Sequence, residues 1–88
     1  MILAKVIGRI HTSKRNEKLI GLKLSVVQHV DPNYKEKASF QVVADPLGAG
    51  RNEIVVISNI NLSKDYNLDH GAPIDAMIVG IVEKIDLK

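Results

Sequence analysis

The 88-residue sequence contains no cysteine and no tryptophan. Without thiols there is no disulfide framework, no thiolate zinc site, no redox pair and no cysteine nucleophile. Aromatic residues are scarce as well: Tyr34, Phe40 and Tyr66 complete the set. A core made from this chain has to come from Ile, Val and Leu, and β-branched residues favour strands over helices. The longest nearly pure apolar run, residues 76–82, falls far short of the ~20 residues that a membrane-spanning helix needs. Lys5 and Arg9 interrupt the apolar N-terminus before the apolar stretch of a signal peptide can form. The expectation is a cytoplasmic protein with no membrane partner.

What is present is ordinary for a folded chain. Hydrophobic residues make up 45% and charged residues 25%, a balance that disordered sequences lack. The length leaves room for one domain over residues 1–88, and at this size folding covers only about 60–65% of the unfolded chain's surface. With no disulfide or thiolate metal site to add stability, association with further copies is a remaining device. The net charge of +2 is too small to indicate nucleic acid. Its distribution is uneven: residues 1–44 carry eight Lys or Arg against three acids, and residues 45–88 carry four against seven. Either the halves interleave and the asymmetry has no consequence, or opposite-sign faces favour head-to-tail association.

Period-two alternation sets out five strands. Ile2, Ala4, Val6, Gly8 and Ile10 share one face of the first, with Lys5, Arg9 and His11 on the other. Leu22, Leu24 and Val26 alternate with Lys23 and Ser25 in a second, which ends near Gln28. Asp31-Pro32-Asn33 opens a turn, and the charged stretch through Lys37 reads as a loop. Phe40, Val42 and Ala44 then form the apolar face of a third strand, which places Phe40 in the core. Residues 54–57 make a fourth and residues 74–85 the last and longest, with a bend or a close backbone approach at Gly80. Between these two the pattern loses its period, and a short helical turn capped by Ser63 is expected over residues 63–66. The fold class that follows is all-β: a small five-stranded OB-like β-barrel, whose closure removes exposed sheet edges.

The last strand is apolar on both faces, with Ile74, Ala76, Ile78 and Val82 on one and Met77, Val79 and Ile81 on the other. A sheet with one wet face is not written this way. So short a chain has little left to cover the second face, so Met77, Val79 and Ile81 are expected to meet another copy.

A search for chemistry finds no catalytic, cofactor or metal site. His11, His29 and His70 stand in separate segments with no ligand spacing, and Asp45, Asp69 and Asp75 each fit a turn or strand end. Gly48-Ala49-Gly50 reads as a turn with glycines at positive φ. Its other reading is a close approach to a ligand or neighbouring chain, with exposed N–H groups as an anion nest. The alternative function for such a barrel is a binding module for single-stranded nucleic acid or another polyanion, through Arg9, Lys14 and Arg15. Stacking platforms for bases are missing from the sequence.

Four segments, in order, point to a family. They are Met1-Ile2-Leu3-Ala4-Lys5-Val6-Ile7-Gly8, Leu19-Ile20-Gly21-Leu22-Lys23-Leu24, Asp45-Pro46-Leu47-Gly48-Ala49-Gly50 followed by Glu53, and Pro73-Ile74-Asp75-Ala76 leading into Val79-Gly80-Ile81-Val82. Along almost its whole length the sequence resembles the vertex proteins of bacterial microcompartments, the EutN/CcmL family. The resemblance implies a non-enzymatic shell protein, without cofactors, that forms a homopentamer and plugs the vertices of a polyhedral shell built from hexameric proteins. It also implies that Asp45, Gly48, Ala49 and Gly50 lie near the contact between subunits. One departure stands out. After the fourth strand the family often has a Gly-Ser run leading to a basic residue, where this chain has Ser58-Asn59-Ile60-Asn61, so no pore or ion site carries over.

Overall fold

Alternation along the strands becomes the inside and outside of a barrel. The computed structural model describes residues 1–12, 21–59 and 75–87. Within them run β1 (Ile2–Arg9), β2 (Leu24–Val30), β3 (Glu36–Ala44), β4 (Ile54–Asn59) and β5 (Ala76–Ile81). They close in the order β1-β2-β3-β5-β4, the expected all-β, five-stranded barrel. Neighbours are antiparallel except β3 and β5, which run parallel and meet at Ala44 and Met77. The helical turn expected over residues 63–66 lies outside the described residues.

The core gathers Ala4 and Val6 from β1, Val27 from β2, Val43 from β3, Val55 and Ile57 from β4, and Ala76 and Ile78 from β5. Ala49, from the loop between β3 and β4, completes it. Each of its buried Val and Ile side chains contributes about 1.5–3 kcal/mol relative to exposure, with nothing covalent to assist.

One core assignment fails. Phe40 is 60% exposed and Val42 49% exposed, whereas Val43 is buried. Register decides this: Ser25 and Val27 are the buried residues of β2, and they stand opposite Val43 and Gln41. The other parity, Val42 opposite Val26 and Phe40 opposite Gln28, must therefore point outward. Residues 36–40 are exposed on both faces, whereas the facing end of β2 is not, since Val30 is buried.

Strand ends shift for related reasons. β3 reaches back to Glu36, inside the stretch read as a loop, because Val30 pairs with it and Lys5 Nζ bonds its Oε1 at 2.7 Å. β2 starts at Leu24, later than the pattern suggested, and continues to Val30. β5 is shorter than expected. Gly80 faces Val56 while Ile78 faces Ile57, which leaves Val79 as an extra residue and bends the strand beside the glycine. A Cβ on Gly80 would meet nothing within 4 Å, so the bend holds and the close approach within the chain does not.

Ser25 is fully buried, and its Oγ has no hydrogen-bond partner among the described residues. A buried hydroxyl left unpaired is destabilising, so Ser25→Ala is expected to raise stability by about 1 kcal/mol. Urea denaturation checks it. A loss of stability of that size would mean the hydroxyl is satisfied.

Candidate functional site

The loop that follows β3 is organised by one carboxylate. Asp45 is 2% exposed; its Oδ1 accepts from the N–H of Leu47 at 3.1 Å and of Gly48 at 2.9 Å, and its Oδ2 from that of Ala49 at 2.8 Å. The Asp45 N–H donates to the Lys23 carbonyl at 2.9 Å, fixing the loop's start to the entry of β2. The concave run of N–H groups that the sequence offers as an anion nest is thus filled by the chain's own aspartate.

The glycines divide the work. Gly48 has φ +76, the left-handed region that closes the turn and disfavours a side chain. Gly50 does not lie in that region. Its N–H donates to Glu53 Oε1, and the Glu53 N–H returns a bond to the Gly50 carbonyl at 3.1 Å. Asn52, itself at φ +71, donates its N–H to the Val6 carbonyl at 2.8 Å, while the Val6 N–H reaches the Glu53 carbonyl at 3.0 Å. The Arg9 guanidinium lies 3.4 Å from the Ala49 carbonyl. Ala49 points into the core, and Pro46, Leu47 and Gly48 are left as an exposed crown.

Of the strand residues expected at a contact, the structure separates one from the others. Met77 is fully buried within the chain, so it has no surface to offer, because on β5 it packs where β3 and β4 flank it. Val79 is half-buried and Ile81 is 37% exposed. The bulge at Val79 also shifts the parity, so Ile81 stands opposite core residue Val55 and does not share the face of Met77 and Val79; since β3 and β5 run parallel from Ala44 and Met77, it is exposed at the barrel end that the loop covers. Phe40, which alternation assigns to the core, is exposed instead, and the signal available was the mixed parity of Val42, Val43 and Ala44.

Groups for other chemistry do not assemble. Among the described residues no three His, Asp or Glu side chains come together as metal ligands. His29 Nε2 is 2.9 Å from Gln41 Oε1, Asp45 is committed to its loop, Asp75 is exposed, and His70 and Asp69 lie outside the described residues. Arg9, His11 and Lys23 do share a cleft at the mouth of the barrel, but none of the described residues lining it is Phe, Tyr or Trp. Lys14 and Arg15, the other basic residues of the polyanion reading, lie outside the described residues.

The family described as ethanolamine utilisation protein EutN/carboxysome matches residues 1–83. The bacterial microcompartment shell vertex protein GrpN of Rhodospirillum rubrum is 40% identical over 87 residues, covering 98% of this chain and 97% of GrpN. The solved structure of that pentameric microcompartment shell protein superposes with a TM-score of 0.87 at 38% identity, covering 100% of both chains. The structure of Gloeobacter violaceus CcmL gives a TM-score of 0.90 at 25% identity, over 99% of this chain and 90% of that one. With a match this long and a fold this close, the chain belongs to the EutN/CcmL family of microcompartment shell vertex proteins.

Proposed function

We propose that this protein is a structural shell protein of a bacterial microcompartment, a homopentamer that caps the vertices of the polyhedral shell within the cytoplasm. The observation that carries the reading is end-to-end similarity to a pentameric shell protein, on a barrel whose described residues assemble no catalytic group. The function is geometric. A flat layer of hexamers closes into a polyhedron only where five-fold points are introduced, and a ring of five small barrels supplies such a point with no reaction to perform. Hexameric shell proteins are the partners this role requires, and nucleic acid is not among them.

Within the ring, the crown of the 45–50 loop, with Val79 on β5 and Ile81 at the barrel rim beside the loop, forms one half of each subunit contact. Asp45, Ala49 and Gly50 act from beneath by holding the crown in shape. Native mass spectrometry at micromolar concentration is expected to give a five-chain species. A monomer there would sink the ring, and a ring of another size would sink the vertex. Co-expression with hexameric shell proteins is expected to give closed particles that depend on this chain. Equal closure without it would count against capping.

A further inference from the structure

We infer that the outer face of β2 and β3, centred on Phe40 and Val42, is the second half of the subunit contact and receives the loop and β5 side of the next copy. This rests on the ring reading above. A ring with five-fold symmetry is heterologous, so each contact joins two different patches of the same chain. The loop and β5 supply one patch, and the other has to lie elsewhere on the barrel.

Exposure singles out β3. Phe40 and Val42 are 60% and 49% exposed and share one face of one strand, with Val26 directly across from Val42. A strand face made for water carries polar residues at these positions, and Phe is a residue type enriched where proteins meet. The other strongly exposed apolar residues sit at the chain's described ends, as Met1 and Leu87 do, or singly. The stripe lies on the outside of the barrel wall, beside core residues Val27 and Val43, where a neighbour can reach it.

Charge identifies the occupant. The strand order sets β2 across the barrel from the β5–β4 pair, so the sequence halves do not interleave. Among the described residues, β1 to β3 and their connections carry five Lys or Arg against two acids, and the remainder carries two against five. Head-to-tail packing of copies brings opposite signs together, while a two-fold contact through β2–β3 sets like against like. A single strand of nucleic acid fits less well, because the stripe continues in valines and offers one ring for stacking.

The chain has no cysteine among its 88 residues, which makes the test clean. Copies carrying Phe40→Cys are mixed, under conditions that let subunits exchange, with copies carrying Ile81→Cys, and treated with a short bismaleimide. The expected product is a covalent dimer of the two kinds, with little from Phe40→Cys alone. A dominant Phe40→Cys homodimer would overturn the proposal in favour of a two-fold contact. In parallel, Phe40→Ser with Val42→Ser is expected to keep the barrel's circular dichroism spectrum and weaken the ring by at least roughly 30-fold. If the folded double variant stays pentameric at the wild-type midpoint, the stripe is not the contact, yet the ring reading stands. A wild-type monomer sinks both. Labelled single-stranded DNA bound by wild type and lost by the variant with its ring intact would assign the stripe to nucleic acid instead.

Discussion

Asp45→Ala is expected to destabilise the fold by about 3 kcal/mol, because it removes one acceptor group from three backbone donors at once. The three losses are unequal. The N–H groups of Leu47 and Gly48 belong to exposed residues and can turn to water, but Ala49 is 1% exposed and part of the core. Its N–H, 2.8 Å from Oδ2, is left buried and unpaired, and that single deficit is the largest share. Asp45→Asn separates the contributions. It keeps one oxygen for Leu47 and Gly48 and turns an amide N–H₂ toward the Ala49 donor, so about 1–2 kcal/mol is expected. Urea denaturation at several protein concentrations distinguishes a loss in the barrel from a loss in the ring, since only the latter depends on concentration. If Asp45→Ala and Asp45→Asn unfold at the wild-type midpoint, the carboxylate does not organise the loop.

Much of this arrangement is legible in the sequence, and the reasons for the rest are physical. Alternation gives the strands because the barrel interior is aliphatic and each strand contributes alternate residues to it. Asp45, Gly48 and Glu53 can be read as a turn, yet the role of Asp45 cannot, since its partners are main-chain donors that leave no mark on residue type. The position of Phe40 turns on register. Three consecutive apolar residues, Val42, Val43 and Ala44, fit either parity, and only pairing with buried Ser25 and Val27 chooses between them. Glu36 reads as loop because the charge there reflects a strand exposed on both faces. Met77 has the outward parity its alternation suggests and is nonetheless buried, which periodicity alone does not report.

The charge asymmetry follows the same logic. Counted along the chain it has no spatial meaning until strand order is known, because a barrel of order β1-β4-β2-β5-β3 would mix the halves. In the observed order the first three strands are contiguous and the last two adjoin each other. A sequence imbalance thereby becomes two sides of opposite sign, suited to head-to-tail association and screened beyond roughly 8–10 Å at ordinary salt.

Gly48→Val is expected to cost about 2 kcal/mol in folding, since φ +76 is a backbone region that L-residues, and β-branched ones most of all, adopt at a penalty. This loss concerns the single chain and says nothing about the ring. Gly48→Asn does. Asparagine tolerates the left-handed region, so the folding cost falls to about 0.5 kcal/mol, while the new side chain enters space where a Cβ meets nothing of the chain within 4 Å. If the crown is at the subunit contact, this variant loses no more than that as a monomer and forms pentamers more weakly by native mass spectrometry. Gly50 is the wrong probe for that purpose, because a Cβ there lies 3.0 Å from Glu53 Oε1 and the first thing it disturbs is the chain's own carboxylate. The close approach that the sequence assigns to both glycines is therefore tested at Gly48 alone. A Gly48→Asn ring of undiminished stability would place the crown away from the contact and leave the loop with a folding role only.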